Sequence, residues 1–425
     1  MTITPPTAGQ APPGYGPFSA LRQREFGLLW ASGLGQAIGM GMQQIALGHF
    51  VFQRTASEFW VGAVAFMNFL PFFIFSLFAG AIGDRMDKRT LLIVAQALSG
   101  VATLALALLI VTDRVMIGHV LVVAAVSALG LALTVPVRLA YVHDLVDRGL
   151  LMNAIALNAL AQNAMRLLGP IVAGLLIGWV GHGGAMFVNA ACFAAGAAPL
   201  LLLRPRPPRR ATVPVSVLGN VAEGLRFARA TPAVLFILAL SYLFSLFGMP
   251  YLAMLPVFAE KVLGVGPAGL GLLSAAAGAG SVVGAVALTR LGDVPYKGRL
   301  FAGFYVLFAA AVLLFALSPR FPLSLALLVL VGLGSLTHIN VGTVMLQMRT
   351  PAGMQGRVMG LWTWGISLNY LGALPVGALA QVYGAPRVLA ASAAIGLLGG
   401  LALIARARAA DPAEAAEHAR RTIAP

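Results

Sequence analysis

Long apolar runs recur through the whole chain and constrain its fold more than any other feature of the sequence. A helix of about 20 apolar residues crosses a hydrocarbon core about 30 Å thick, and a backbone inside lipid must satisfy its own hydrogen bonds. Hydropathy predicts about twelve such spans, at residues 26–52, 60–82, 90–111, 117–142, 152–178, 184–203, 232–257, 266–289, 299–318, 322–348, 357–381 and 386–405. The runs do not alternate apolar and polar residues, as the strands of a membrane β-barrel do. The sequence therefore predicts an all-α integral membrane protein.

The composition agrees with this class and excludes several others. Charged residues make up 10% of the chain, against about 25% in soluble proteins, so a water-soluble globule is excluded. Cys192 is the only cysteine, which excludes disulfides and cysteine-based metal sites. The stretch Met1–Gly16 is rich in Pro, Gly and Thr and has no charged n-region. We therefore interpret it as a cytoplasmic tail and not as a signal peptide.

The widest break in the apolar pattern lies near the middle of the chain and divides the spans into two sets. It runs from Arg204 to Arg229, begins with RPRPPRR, and continues as an amphipathic stretch over Val217–Ala228. The pattern predicts two pseudo-symmetric bundles of about six helices each. The predicted domains are a cytoplasmic N-terminal tail at 1–24, bundles at 25–203 and 232–406, a linker with an amphipathic helix at 204–231, and a cytoplasmic C-terminal tail at 407–425.

The positions of Lys and Arg predict the orientation in the membrane. If the N-terminus is cytoplasmic, the loops on that side hold about four times as many Lys and Arg as the other loops. Both termini are therefore expected in the cytoplasm. The same asymmetry explains the net charge of +15 without a nucleic-acid partner. It also favours contact with anionic membrane lipid.

The stretch GAIGDRMDKR, Gly80–Arg89, places five charges in a short turn between the second and third predicted spans. It resembles the loop signature of the major facilitator superfamily, Gly-x-Leu-x-Asp-Arg-x-Gly-Arg-Lys. The matching or conservatively replaced positions are Gly80, Ile82, Asp84, Arg85, Lys88 and Arg89. Asp87 stands where the signature has its second glycine. A weaker counterpart, RLGDVPYKGR at Arg290–Arg299, follows the eighth predicted span. The resemblance implies a transporter with two repeated halves and a substrate site between them near the midplane.

Further stretches resemble one branch of that superfamily. The sequence GPIVAG, with Gly169, Pro170 and Gly174, resembles the Gly-Pro-x-x-Gly-Gly element of superfamily exporters. These residues would allow a helix bend and close helix approach, and ordinary small-residue packing is the alternative. The stretches MQQIALGHFVFQRTAS, PVRLAYVHDLV and GRVMGLWTW resemble the enterobactin-exporter and macrolide-efflux permease branch. The resemblance extends over nearly all of residues 20–405 and implies export across a bacterial inner membrane.

The resemblance also implies a gate on the cytoplasmic side. The loop aspartate, here Asp84, would meet the start of the eleventh helix near Gly356–Gly360, because a helix N-terminus favours an anion. A charge cluster of this aspartate with Arg85, Arg138 and Asp144 would then latch the two halves together. The alternative is a solvated turn that carries ordinary positive charge. The predicted gating residues are Gly80, Asp84, Arg85, Lys88, Arg89, Arg138 and Asp144.

Arg166 is the most unusual single residue, because it lies about 21 Å into the fifth predicted span at 1.5 Å per residue. An Arg at that depth is costly and should face a cavity or a partner. Asn158, Gln162 and Arg166 recur every four residues and share one helix face. We therefore expect a polar stripe along the central cavity, with Arg166 holding an anionic or carbonyl-rich substrate. The alternative is a structural hydrogen bond from Arg166 to backbone carbonyls near Pro170.

Polar side chains in the first, seventh and tenth spans are further cavity candidates, since the resemblance implies that these helices line the cavity. They are Gln43, Gln44, Tyr242, His338 and Asn340. Interhelical hydrogen bonding is the alternative for each of them. No Asp or Glu lies in the middle of a predicted span. Proton-coupled carriers commonly use a buried acid, and His338 could substitute for one, as could Asp84 or Asp144 at the inner rim. His49 lies nearer the outer end and is less suitable.

Together these features predict a secondary active exporter of a small amphipathic organic molecule, such as a siderophore, a macrolide-like drug or a metabolite. Protons are the coupling ion that the resemblance implies, and we expect a monomer. The chain has no Gly-x4-Gly-Lys-Ser/Thr or His-Glu-x-x-His motif, so we expect no enzyme activity, cofactor or metal. The alternatives are a lipid or lysolipid translocator on the same fold, an uptake carrier, and a non-transporting membrane sensor.

Overall fold

The structure is a computed structural model that describes residues 18–205, 217–292 and 296–410. Regular secondary structure in these ranges is entirely helical. The helices are α1 (Arg24–Thr55), α2 (Glu58–Arg85), α3 (Lys88–Val111), α4 (Ile117–Leu145), α5 (Leu151–Leu201), α6 (Val217–Ala230), α7 (Pro232–Leu243), α8 (Tyr251–Val257), α9 (Gly266–Leu291), α10 (Lys297–Ala316), α11 (Phe321–Arg349), α12 (Gln355–Ser367), α13 (Ala373–Tyr383) and α14 (Ala385–Ala410). Two π-helical turns, Phe244–Gly248 and Phe258–Val262, flank α8. Most of both predicted tails, most of RPRPPRR, and Asp293 of the second hairpin lie outside the described residues.

Nine helices in the described part of the chain are long and apolar enough to cross a membrane. One of them, α5, has 51 residues, which at about 1.5 Å per residue exceeds twice the thickness of a hydrocarbon core. It breaks at Gly181, with φ 71° and ψ −180°, so α5 contains two spans. The 32-residue α1 is also long enough, and α12 and α13 form a further span interrupted at Leu368–Tyr370. The helices are consistent with the predicted count of twelve spans.

The turn between α2 and α3 is shorter than the sequence predicts. Helix α2 continues to Arg85 and α3 begins at Lys88, so only Met86 and Asp87 lie between them. Asp87 is the N-cap of α3, and its Oδ2 accepts hydrogen bonds from Thr90 N at 3.0 Å and Thr90 Oγ1 at 2.8 Å. A carboxylate at this position stabilises the start of a helix. The φ of −62° at Asp87 needs no glycine, which explains how an acidic residue fits this turn.

The helices pack as a first half, α1–α5, and a second half, α7–α14. In the first half α1 packs on α5 and α2 packs on α4, and in the second half α9 and α10 pack on α11. The largest buried apolar cluster comes mainly from the second half and includes Phe301, Phe308 and Phe315. The two halves touch mainly along two lines, α5 against α9 and α2 against α13, and α1 and α2 also contact α8. A site between the halves is bounded by these two lines.

Candidate functional site

The bundle has two ends that differ in charge. At the basic end α1 begins and α2 finishes, and this end carries Arg89 and Arg349. At the opposite end α1 finishes at Thr55 and α2 begins at Glu58, and Glu260 lies near them through its contact with α1. The sequence predicts a transport site, which would have to communicate with both ends, so the contacts at each end and the polar groups between them define the candidate site.

Three of the predicted gating residues, Lys88, Arg89 and Asp144, make contacts within the first half at the basic end. Lys88 Nζ pairs with Asp144 Oδ2 of α4 at 2.5 Å. Arg89 donates from Nε to Leu200 O at 2.8 Å and from Nη2 to Leu201 O at 2.9 Å. Arg89 thereby caps the end of α5, where backbone carbonyls have no helical partner. These contacts fix the start of α3 to α4 and α5.

The other predicted gating residues do not all come together. Gly80, Asp84 and Arg85 lie in the last turns of α2, and the side chains of Asp84 and Arg85 are outside the described part of the structure. Among the described residues, Arg138 makes its hydrogen bonds to groups of α1 and not to Asp144. The structure thus pairs Asp144 with Lys88 rather than with Arg138.

Arg138 forms the centre of a buried polar network between α1 and α4. It is 4% exposed and donates from Nη1 to Leu29 O at 2.8 Å and from Nη2 to Gln36 Oε1 at 2.8 Å. A longer bond of 3.4 Å reaches Ser32 Oγ. Gln36 in turn donates from Nε2 to Thr134 Oγ1 at 2.8 Å. Among the described residues, every hydrogen-bond partner of this guanidinium is neutral, so its positive charge is not cancelled locally.

The predicted stripe on α5 lies next to this network. A Cβ built on Gly33 of α1 would lie 3.1 Å from Arg138 Nη1 and 3.8 Å from Gln162 Nε2. The two side chains therefore approach each other across the glycine. Asn158 and Gln162 are both half-buried. Arg166 lies further along α5, and its side chain is outside the described part of the structure.

The other cavity candidates differ in burial. Gln43 is buried on α1, and its Nε2 has no hydrogen-bond partner within the described ranges. Gln44 is half-buried and Asn340 of α11 is exposed. Tyr242 of α7 is half-buried and donates its hydroxyl hydrogen to Leu361 O of α12 at 3.0 Å. Polar atoms from both halves are thus present, as a site between the halves requires.

His338 lies in the apolar core of the second half. It is wholly buried, and its ring stacks on that of Phe301 with centroids 4.2 Å apart. Its Nδ1 lies 3.1 Å from Phe301 O and its Nε2 lies 3.3 Å from Ser241 Oγ. A carbonyl can only accept, so Nδ1 carries the hydrogen and Nε2 faces the hydroxyl. Both ring nitrogens therefore have partners within the same half.

The residues predicted to bend the fifth span lie where α5 meets other helices. The helix continues through Pro170, and its one interruption is at Gly181. A Cβ on Gly169 would lie 2.8 Å from Gly41 Cα of α1, and a Cβ on Gly174 would lie 3.0 Å from Gly271 Cα of α9. Real Cβ atoms do not approach this closely, so glycine permits both backbone contacts. The second contact joins the two halves.

The opposite end holds further contacts between the halves. A Cβ on Gly62 of α2 would lie 2.5 Å from Ala373 O of α13, so these backbones also touch. Glu58 Oε1 pairs with Lys261 Nζ of the second half at 2.7 Å, and the Glu58 side chain is only 1% exposed. The opposite end is therefore closed by packed backbones and by an ion pair.

A second polar contact between the halves involves residues that sequence reasoning did not assign to the site. His49 Nε2 lies 2.6 Å from Glu260 Oε1, and His49 Nδ1 lies 2.8 Å from His182 Nε2. His49 could be noticed in the sequence as a titratable residue in an apolar span. Its partner is 211 positions away, and no local pattern indicates that pairing.

The sequence and the fold are similar to those of known transporters. Residues 15–424 match a family described as transmembrane secretion effector. Enterobactin exporter EntS of Shigella boydii is 27% identical over 368 residues, which cover 85% of this chain and 86% of that protein. Enterobactin exporter EntS of Escherichia coli is 26% identical with the same coverage.

Solved structures share the fold at low sequence identity. The nucleoside transporter NupG has a TM-score of 0.68 and 14% identity, covering 90% of this chain and 98% of that chain. A POT family transporter in complex with 5-aminolevulinic acid has a TM-score of 0.73 and 12% identity, covering 90% of this chain and 96% of that chain. These likenesses establish the architecture of the chain.

Proposed function

The chain belongs to the transmembrane secretion effector family of the major facilitator superfamily, and we propose that it exports a small amphipathic organic molecule by alternating access. It is a multi-pass transporter of the bacterial inner membrane. Relatives named as enterobactin exporters at 26–27% identity support export as the direction. In this mechanism two halves rock about one central site, so that the site faces the two sides of the membrane in turn.

The observation that carries this proposal is the contact between the halves at the opposite end. It includes the Gly62–Ala373 and Gly174–Gly271 backbone contacts and the Glu58–Lys261 ion pair. These contacts join two separately packed bundles and can break without unfolding either one. A closed end of this kind is what one state of an alternating-access carrier requires.

We assign the basic end to the cytoplasm and the opposite end to the outside. Lys and Arg are enriched at the cytoplasmic ends of membrane helices, and the basic end carries Arg89, the Arg204 region and Arg349. With this orientation the described conformation is closed to the outside, and both termini lie in the cytoplasm. Asp84 and Arg85 at the end of α2 remain our candidates for the gate on the cytoplasmic side.

We infer the substrate class from polar groups of the first half. The Arg138 guanidinium has neutral partners and lies next to Gln162, which favours an anionic or oxygen-rich group in that region. We propose a site formed by Gln43, Gln44, Asn158, Gln162, Arg166, Tyr242 and Asn340. We leave His338 out of it, because its ring nitrogens are bonded inside the core of the second half. Siderophores and acidic metabolites fit these groups, and exchange against protons would drive their export.

Flux into inside-out membrane vesicles tests the proposal. A catecholate siderophore, a macrolide and a lysolipid are offered in turn, with and without an imposed pH gradient. We expect uptake of the siderophore that stops when an uncoupler collapses the gradient. Uptake that is unchanged by the uncoupler would exclude proton coupling, and uptake of lysolipid alone would favour a lipid translocator.

A pair of variants tests the site itself. Arg166→Ala should lower siderophore uptake at unchanged abundance, because it removes a cation from the middle of a span. Arg114→Ala is the matched control, since Arg114 is an exposed residue of the turn between α3 and α4. Equal uptake by the two variants would exclude Arg166 from the substrate site.

A further inference from the structure

Three titratable side chains are linked by hydrogen bonds at the end of the bundle opposite the basic end, and the proposed transport cycle does not use them. Glu260 Oε1 bonds with His49 Nε2 at 2.6 Å, and His49 Nδ1 bonds with His182 Nε2 at 2.8 Å. His49 is wholly buried, whereas the Glu260 side chain is 27% exposed and His182 is half-buried. Both histidines belong to the first half and Glu260 belongs to the second. The chain of bonds therefore bridges the halves and reaches solvent at that end.

The geometry limits how many protons this chain of bonds can hold. A carboxylate only accepts, so His49 Nε2 carries a hydrogen that points to Glu260. A single hydrogen then fits between His49 Nδ1 and His182 Nε2, whichever ring it belongs to. The closed arrangement thus exists with both rings neutral or with one extra proton shared between them. If both rings were charged, two N–H groups would face each other at 2.8 Å and two like charges would repel.

An open arrangement has no such limit. When Glu260 moves away with the second half, both imidazole rings meet water, where an unperturbed His titrates near pH 6.5. In acid each ring then holds an extra proton. Opening in acid therefore takes up at least one proton, because the closed cluster holds no more than one and the open rings hold two. Protons consequently favour the open arrangement.

We propose that His49, His182 and Glu260 form a proton-binding site that opens the opposite end when the adjoining solution becomes acidic. The role of this site in export rests on the proposed function, because the assigned orientation places this end outside the cell. Acid on that side would then help the carrier to release its cargo outward. Opening binds the protons at free ring nitrogens, and closing returns them.

The other charged groups at this end are carboxylates, a lysine and arginines. The Glu58–Lys261 pair also joins the halves, and neither of its members is a histidine. The exposed Arg54–Asp113 pair lies within the first half. The remaining cationic side chains there are Arg114, Arg320 and Arg387. Histidine is the side-chain type that ordinarily changes its charge between about pH 5 and pH 8, so a response in that range points to the histidines.

His119 provides a control, because it is a third histidine at the same end. Its Nδ1 accepts a hydrogen bond from Met116 N at 3.1 Å at the start of α4. This contact lies within the first half and does not bridge the halves. Loss of His119 should therefore leave the response to acid unchanged.

The proposal is tested by measuring a distance across the opposite end of the full chain in lipid nanodiscs. Spin labels are placed at Met116→Cys in the first half and Val382→Cys in the second, positions that are 65% and 73% exposed. Cys192→Ser removes the native thiol. Pulsed electron spin resonance on samples frozen from pH 8 to pH 5 then gives the share of molecules with the longer distance. We expect the ratio of open to closed molecules to rise about tenfold per pH unit below about pH 6.

Three variants identify the groups responsible. His49→Gln and His182→Gln should each remove the response, since glutamine keeps a hydrogen-bonding amide but takes up no proton. His119→Gln should respond as the parent protein does. A distance distribution that is the same at pH 8 and pH 5 would overturn the proposal. An undiminished response to acid in both His49→Gln and His182→Gln would also overturn the proposal.

The two proposals can fail separately. Opening by acid without flux of any tested substrate would leave the proton site standing and refute the exporter. Flux of a substrate together with a distance that does not change with pH would support the exporter and refute the proton site.

Discussion

Replacing Gly174 with valine should hold apart the helices that close the opposite end. A Cβ at this position would lie 2.5 Å from Pro267 O and 3.0 Å from Gly271 Cα, whereas ordinary Cβ contacts begin at 3.4 Å. Helices α5 and α9 would therefore have to separate by about 1 Å, and overpacking of this kind costs about 1–3 kcal/mol. The cost falls on the closed state alone, because the contact is absent once the halves separate. The ratio of closed to open molecules should fall by about 5- to 150-fold.

A buried reporter cysteine measures this shift. Ala373→Cys, in a Cys192→Ser background, sits on the other line of contact between the halves, where Ala373 is wholly buried. A membrane-impermeant maleimide supplied from the outside at constant pH should label it faster in the Gly174→Val variant. Gly178→Val is the matched control, since Gly178 lies one turn along α5 and a Cβ there meets nothing within 4 Å. Equal labelling rates in the two valine variants would refute the argument that this glycine contact controls closure.

Three further outcomes are expected. Arg138→Met should lower the thermal unfolding midpoint of the purified protein, because buried acceptors on α1 lose their donor at a cost of about 1–3 kcal/mol; an unchanged midpoint would contradict the network. Lys261→Met should speed labelling of the reporter cysteine, since it leaves the Glu58 carboxylate buried without its partner. Adding Glu58→Gln should reverse most of that effect, and failure to reverse it would exclude the ion pair as the cause. Asp84→Asn should slow flux by about 2- to 5-fold if the carboxylate meets a helix N-terminus, an interaction of about 0.3–1 kcal/mol. Asp113→Asn, on a side chain that is 78% exposed, should leave flux unchanged.

The class of fold was predictable from the sequence because membrane spans depend on local composition. Runs of apolar residues near the required length give the helices directly, and the helical fold and the superfamily are confirmed. The interruption at Gly181 falls between the fifth and sixth predicted spans. The short turn at Met86–Asp87 was harder to predict. No helix-breaking proline separates Ala79 from Arg85, and Asp87 begins the next helix as a cap.

The contacts of the candidate site depend on how distant helices align, which sequence periodicity does not report. Arg138 was predicted to join acidic residues, yet it meets groups of α1 about one hundred positions earlier in the chain. His338 has the residue type of a proton relay, but its neighbours bury it among aromatic rings. The pairing of His49 with Glu260 links the two halves, and each residue taken alone gives no indication of the other.

The Arg138 network also bears on how the chain is made. Helix α1 is not among the nine apolar spans, and its Gln36 bonds to side chains 98 and 102 positions later. At about 5–20 residues per second, synthesis of that interval takes about 5–20 s. During this time the amide of Gln36 lacks the partners that satisfy it in lipid. The first span should therefore stay at the translocon, or bound to a chaperone, until the fourth span emerges. Stable insertion of α1 then depends on the other helices of the first half and not on α1 alone.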